Sequence, residues 1–238
     1  MVFGPKKFAR KLLNRLGYDL HRIGRSAIID CYSPSYLPRL CQPQTIFDVG
    51  VGYGTFALYE SFPESYFVLV EPLVEFQKAI EMILAKYEGE IHYKAVGNRE
   101  GWLEINVDKS NLQMSSHADR TALTKGGSNL EKRKVEVTTL DKIYQNARSS
   151  RGPIILKIDT EGNELAALEG ANLLLQSTDF VIAEVSIAKR FENGYEFEEV
   201  INLMNKNGFS VFSFLHIEHE ENEISPRFAD VVFSRQGS

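Results

Sequence analysis

The chain has 238 residues, of which 43% are hydrophobic and 25% charged, and its 32 acidic against 27 basic side chains give a net charge of −5. That is enough apolar material for one sizeable core, and no run of eighteen apolar residues reads as a membrane span. The acidic balance argues against a nucleic-acid partner, because phosphates call for a basic face.

Charge is spread unevenly. Residues 1–25 carry seven basic side chains against Asp19 alone, so the rest of the chain is more acidic than the total suggests. Lys6, Lys7, Arg10, Lys11 and Arg15 interrupt the start too often for the apolar core of a signal peptide. Phe8, Leu12 and Leu16 recur every fourth residue, with Lys7, Lys11 and Arg15 one position away, so a basic amphipathic helix is expected. A helix packed on the domain edge satisfies this pattern, which also allows weak contact with anionic lipid without requiring it. Cys31 and Cys41 stand in no metal-ligand spacing, which argues against a disulfide framework or structural zinc and for the reducing cytoplasm. The expected organisation is a basic helical segment over 1–43 followed by one α/β domain over 44–238.

From residue 44 onward short β-rich runs alternate with helical patterns, the signature of a parallel sheet flanked by helices. Strands are expected at Thr45–Val49, Tyr66–Val70, Ile91–Val96, Ile154–Ile158 and Phe180–Val185. Helices are expected at Leu73–Tyr87, with Phe76, Ile80 and Ile83 or Leu84 on one stripe, at Ala166–Leu175 and at Phe197–Asn207. Alternating runs at Trp102–Val107 and Val135–Val137 flank the polar stretch Asp108–Lys134 and mark a flap inserted at about 100–138. Gly208–His216 and Phe228–Phe233 follow as two strands whose direct link, Glu218–Arg227, makes them antiparallel.

Ile46 to Thr55 reads I-F-D-V-G-V-G-Y-G-T, an apolar strand with one acid that ends in three alternating glycines. Such glycines permit a tight strand-to-helix turn and let the backbone approach a ligand closely. A dinucleotide site would read G-x-G-x-x-G, with pyrophosphate at a helix N-terminus, and here the third glycine comes one position early. S-adenosylmethionine lacks a pyrophosphate and carries an ammonium and a sulfonium, which an acid such as Asp48 beside the loop suits. Glu71 ends the second strand 21 residues beyond Gly50, where a carboxylate can accept hydrogen bonds from both ribose hydroxyls.

The third motif runs I-L-K-I-D-T-E-G-N-E-L from Ile155 and gathers Lys157, Asp159 and Glu161 where a buried strand ends. Lys157 and Asp159 share one strand face. Ordinary ion pairing with Asn163 as a helix cap is the plainer explanation of the same residues, as a capping box is for Thr138 with Asp141. His21, His92, His117, His216 and His219 form no H-x-x-x-H pair. Asp159, Glu161 and Glu184 would suit a hard cation, but no metal is expected.

Taken together, D-V-G-x-G-x-G, the Glu71-Pro72 pair, T-T-L-D at Thr138 to Asp141 and K-I-D-T-E-G-N-E-L with L-E-G-A after it resemble the FkbM-like methyltransferases from about Thr45 to Glu184. The resemblance implies S-adenosylmethionine-dependent O-methylation of sugar, glycan or polyketide hydroxyls. It also implies a Rossmann-like seven-stranded sheet in the order 3-2-1-4-5-7-6, the last strand antiparallel, with helices on both faces. The cofactor would lie on Asp48, Gly50, Gly52, Tyr53, Gly54, Thr55, Glu71 and Val96. In that order the first and fourth strands meet at the topological switch point. Asp159 or Glu161 would then serve as general base, with Lys157 and Glu184 orienting it or adjusting its pKa, and Glu184 or His117 next in line as base. Methylation at nitrogen or carbon, and a silent nucleoside-binding module recruiting a partner through the basic helix, stay open. A nicotinamide-dependent dehydrogenase is disfavoured by the glycine spacing. Acceptor identity and oligomeric state are not legible.

Overall fold

The computed structural model describes residues 36–121, 129–149, 152–219 and 225–236. The expected amphipathic helix around Phe8, Leu12 and Leu16, and Cys31, lie outside the described residues.

In chain order the elements are β1 (Thr45–Val49), α1 (Phe56–Ser61), β2 (Tyr66–Val70), α2 (Gln77–Leu84), β3 (Gly89–His92), β4 (Ala95–Val96), β5 (Gly101–Asp108) and β6 (Leu130–Thr138). There follow α3 (Leu140–Asn146), β7 (Ile154–Ile158), α4 (Glu164–Glu169), α5 (Asn172–Gln176), β8 (Phe180–Ser186), α6 (Phe197–Lys206), β9 (Phe209–Glu218) and β10 (Phe228–Arg235). β1 and β7 are buried along their whole length, as strands covered by helices on both faces must be. The charges they carry, Asp48 and Lys157, therefore call for partners.

Seven strands form one sheet in the order β3-β2-β1-β7-β8-β10-β9, parallel except where β10 runs antiparallel to both its neighbours. This is a Rossmann-like α/β arrangement. Its numbering departs from 3-2-1-4-5-7-6 because β4, β5 and β6 intervene in the chain and form a second sheet, ordered β4-β6-β5; without them the neighbours are the expected ones. The flap is that second sheet, within the described residues. Its inner face buries Ile105, Val107, Val135 and Val137, and its outer face turns Trp102 to solvent at 64% exposure. Apolar clusters fill both faces of the main sheet, one centred on Phe47, Leu156 and Val231, the other on Ile46, Leu69 and Ile155.

Four expectations need correction. Ile91–Val96 is not one strand: β3 ends at His92, the Lys94 amide turns back to the His92 carbonyl at 2.9 Å, and Ala95–Val96 pairs with β6 instead. The helix expected over Leu73–Tyr87 is shorter, a 3-10 turn at Val74–Phe76 leading into α2, although Phe76, Ile80 and Ile83 form its buried stripe. Ala166–Leu175 is two helices, parted at Gly170 and Ala171, and Gly170 lies so close to the Gly97 carbonyl that an added Cβ would sit 2.1 Å from its oxygen.

The capping box is displaced by one residue. Thr138 still pairs with Val96 in the sheet, so Thr139 caps α3 by accepting the Lys142 amide at 3.2 Å. Asp141 reaches across instead: its Oδ1 accepts the Leu173 and Leu174 amides at 2.8 and 2.9 Å, satisfying orphan donors at the start of α5. Among the described residues no helix is long and apolar enough to cross a membrane. Asp141→Ala is expected to cost about 0.5–2 kcal/mol, the range for losing an N-terminal cap, and urea unfolding will register it as a lower midpoint with unchanged slope.

Candidate functional site

The site grows from the carboxyl ends of β1, β2 and β7. β1 and β7 pair in parallel with Asp48 opposite Lys157. The buried Lys157 Nζ lies 3.3 Å from Asp48 Oδ1 and 3.4 Å from Asp159 Oδ2. Burial alone would push this ammonium down, but the two carboxylates outweigh it and hold it above the ordinary lysine range. The Tyr59 hydroxyl donates to the other oxygen of Asp48.

Directly after β1 the chain turns through Gly50, Gly52 and Gly54, with φ of +81°, +53° and +107°. Each has a different reason to be glycine. A Cβ on Gly50 would stand 1.6 Å from the Asp159 carbonyl oxygen, and one on Gly54 would stand 2.7 Å from Ile83 Cδ1. At Gly52 nothing lies nearer than 3.8 Å, so the backbone there borders open space. The Gly52 amide donates to Glu71 Oε2 and the Leu73 amide to Glu71 Oε1, both at 2.9 Å. Burial nonetheless pushes the Glu71 carboxyl up to about 7.

These groups border a cavity of about 370 Å³, within the range of small-molecule sites. Of the expected cofactor residues, Gly50, Gly52, Gly54, Thr55, Glu71 and Val96 line it. Asp48 and Tyr53 do not. Asp48 is wholly buried beneath the floor, taken up by Tyr59 and Lys157, and Tyr53 turns outward to meet Phe76 edge-on at 4.9 Å.

Of the expected catalytic residues, Lys157, Asp159 and Glu161 line the cavity and Glu184 lies behind them. Asp159, Glu161 and Glu184 each bring an oxygen within 4.8 Å of the others, a donor set that would suit a hard cation. Two guanidinium groups engage it: Arg190 spans Glu184 at 2.5 Å and Glu161 at 2.8 Å, and Arg120 from the flap meets the same Glu161 oxygen at 3.0 Å. Burial raises the carboxyl pKa of Glu161 against the opposing Arg190, and raises that of Glu184 well above its usual range with Asp159 adding to it. Asp230, opposite Glu184 on β10, also faces the cavity and is pushed up to about 6, first by burial and then by Asp159.

The turn after β7 is built around Glu164. Its carboxylate accepts the Thr160 amide at 2.9 Å, the Gly162 amide at 3.0 Å and the Tyr195 hydroxyl at 2.7 Å. That satisfies a bend in which Glu161 takes the left-handed φ of +51°. Asn163 does not cap the helix; its amide donates across to the Val96 carbonyl at 2.6 Å and ties β4 to the turn. His117 lines the cavity from the flap with its Nδ1 buried and without a hydrogen-bond partner among the described residues. Burial lowers its pKa, against a nearby Glu164.

Residues 48–211 match the family model described as the methyltransferase FkbM domain, well over half of the chain. The chain belongs to the FkbM methyltransferase family. A search of curated proteins finds no match. Among solved structures it is similar to the pyocyanin biosynthetic protein PhzM, at 14% identity and a TM-score of 0.41 over 86% of this chain, and it spans only 54% of that protein. It is also similar to magnesium protoporphyrin IX methyltransferase (ChlM) from Synechocystis PCC 6803 with bound SAH, at 10% identity and a TM-score of 0.46, over 99% of this chain and 89% of that one.

In this FkbM-family site sequence reasoning missed Arg120, Arg190, Glu164 and Asp230. Nothing local marks the two arginines, whose partners lie 41 and 29 residues away at Glu161. Glu164 stood within the motif, but its role depends on a turn geometry that spacing does not encode. Asp230 was within reach, since laying the last strand antiparallel on β8 sets it opposite Glu184.

The contrast between the first two glycines gives a prediction. Gly50→Ala forces a Cβ into a backbone carbonyl and is expected to prevent folding or collapse the melting temperature. Gly52→Ala carries only the left-handed strain, about 1–2 kcal/mol, and is expected to melt within a few degrees of wild type. Thermal unfolding of the two purified variants checks this.

Proposed function

We propose that this FkbM-family methyltransferase uses S-adenosylmethionine and methylates a hydroxyl of a sugar, glycan or polyketide-type acceptor. The observation that carries the reading is the Glu71 carboxylate at the end of β2, facing the open space beside Gly52 in the cavity. Each of its oxygens holds one backbone amide, and a carboxylate oxygen has a further lone pair for a ribose hydroxyl. The cavity fits the cofactor electrically as well. Asp159, Glu161 and Asp230 border it, so a cationic ligand gains from the local field. When bound, the cofactor supplies a methyl group already activated on a sulfonium.

The remaining tasks belong to the chain: to position the acceptor oxygen, exclude water and take up the hydroxyl proton. Asp159 is assigned the proton, because its side chain is 33% exposed at the cavity and Lys157 orients it from 3.4 Å. Glu161 suits the role less, since one of its oxygens already receives two guanidinium groups. Glu184 acts through Arg190 as a positioning residue. The reading includes a cytoplasmic setting, supported by a sequence with only two cysteines. It also includes a basic segment over 1–43 that touches a domain edge or an anionic surface.

Release of S-adenosylhomocysteine on incubation with sugar, lipid and polyketide hydroxyls tests the reaction; turnover with amines or carbon nucleophiles alone would contradict O-methylation. Asp159→Asn is expected to lower that turnover by about 10² while affinity for S-adenosylhomocysteine stays within a few fold and melting stays near normal. Full turnover in this variant and in Glu161→Gln moves the base to Glu184 or His117.

Glu71 sets a pH dependence. Ribose hydroxyls donate to the carboxylate, so the protonated acid that predominates below about 7 must lose its proton on binding. Affinity for S-adenosylhomocysteine is therefore expected to be flat above that pH and to fall about tenfold for each unit below it. Glu71→Gln is expected to bind at least about tenfold more weakly and without this dependence. Calorimetric titrations between roughly pH 5.5 and 8.5 measure both, and equal wild-type affinity across the range would remove Glu71 from the site.

A further inference from the structure

A second cavity, of about 310 Å³, opens on the other face of the β5–β6 pair. Alternation along β5 divides the two: Leu103 and Ile105 border the first, Glu104 and Asn106 the second. Asp119 from the flap, Lys132 on β6, and Glu192 with Asn193 after β8 add to its polar walls, and Ala118 is the one apolar lining residue among the described residues. His117 borders both cavities.

We propose that this second cavity holds the non-reacting part of an uncharged or cationic polyhydroxylated acceptor, whose reacting hydroxyl passes His117 into the first cavity. The inference rests on the methyltransferase reading and narrows its acceptor class.

Polarity carries the first step. A wall of amides, carboxylates and an ammonium gains nothing from an apolar polyketide surface, which would strip water from these groups without replacing its hydrogen bonds. Vicinal hydroxyls replace them one for one, since each both donates and accepts. The walls are also preorganised. Asn106 Nδ2 donates to Asp119 Oδ1 at 3.0 Å, Lys132 Nζ meets Glu104 Oε1 at 2.8 Å, and the Glu192 amide donates to the Asp119 carbonyl at 2.7 Å.

Charge carries the second step. Among the described residues, Glu104, Asp119 and Glu192 face the cavity against Lys132, and Lys132 is already paired with Glu104. A phosphorylated or carboxylated acceptor would meet this excess of negative charge, whereas a neutral sugar would not and an amino sugar would gain from it. The junction supplies the third step: His117 borders both cavities, so its ring is the group met by a hydroxyl that reaches from one to the other.

Saturation-transfer NMR on the full chain, with and without S-adenosylhomocysteine, tests this with glucose, N-acetylglucosamine and glucosamine set against glucuronate and glucose 6-phosphate. At least one neutral or amino sugar is expected to bind in the millimolar range, about −4 kcal/mol, and the anionic sugars at least about tenfold more weakly. Asn106→Leu is expected to weaken the neutral sugar about tenfold, and Glu192→Lys to bring the anionic sugars level with it, both with unchanged melting and S-adenosylhomocysteine affinity. Equal binding of anionic and neutral sugars, indifference to Asn106→Leu, or binding of S-adenosylhomocysteine but of no sugar would each overturn the inference. A wild type that binds sugar selectively but not S-adenosylhomocysteine would overturn the acceptor role through failure of the methyltransferase reading, and is distinguishable from those results.

Discussion

Lys157 is an ammonium on a strand that is buried from end to end, and the floor of the site is built to compensate it. Leaving such a charge unpaired would cost several kcal/mol. Asp48 and Asp159 flank it, one from the strand before the glycine turn and one from the end of its own strand. The first and third sequence motifs are therefore held together by a single buried cation. Tyr59 bonds to Asp48 and brings α1 into the arrangement, and Gly50 lets the turn close against the Asp159 carbonyl.

Beyond that floor each buried charge is matched in turn. Asp48 is fully buried and neutralises Lys157, whereas Asp159 shares Lys157 and reaches the cavity. Glu161 and Glu184 lie further along and are matched by Arg190 and by Arg120 from the flap. Arg120 therefore joins the β5–β6 connection electrostatically to the turn after β7, as Asn163 joins that turn to β4 through the Val96 carbonyl. The β5–β6 pair is thus a wall of the inner cavity on one face and of a polar outer cavity on the other, with His117 common to both. On the proposed reading, such an arrangement would separate the cofactor from the groups that select the acceptor.

Much of this was legible in the sequence. All-apolar runs gave β1, β2 and β7, and their neighbours in the sheet followed from the family's pattern. The glycine turn, Glu71 and the Lys157–Asp159–Glu161 group could be read because each lies within a few residues of a strand end. Asp48 was misjudged for a physical reason: spacing places an acid beside the loop but does not say which way it faces, and alternation turns it toward Lys157 beneath the floor. Tyr53 likewise turned outward onto Phe76. The close approach of Gly170 to the Gly97 backbone spans about seventy residues of chain, and Arg120 and Arg190 reach Glu161 over 41 and 29 residues. Long-range contacts of this kind leave no local periodicity to read.

Calorimetric titration of S-adenosylhomocysteine into the folded wild-type chain tests the central claim most directly. The account predicts one site per chain with a micromolar dissociation constant, roughly −7 to −9 kcal/mol, at pH 8, where Glu71 is ionised. A chain that melts cooperatively yet takes up neither S-adenosylhomocysteine nor S-adenosylmethionine would contradict it.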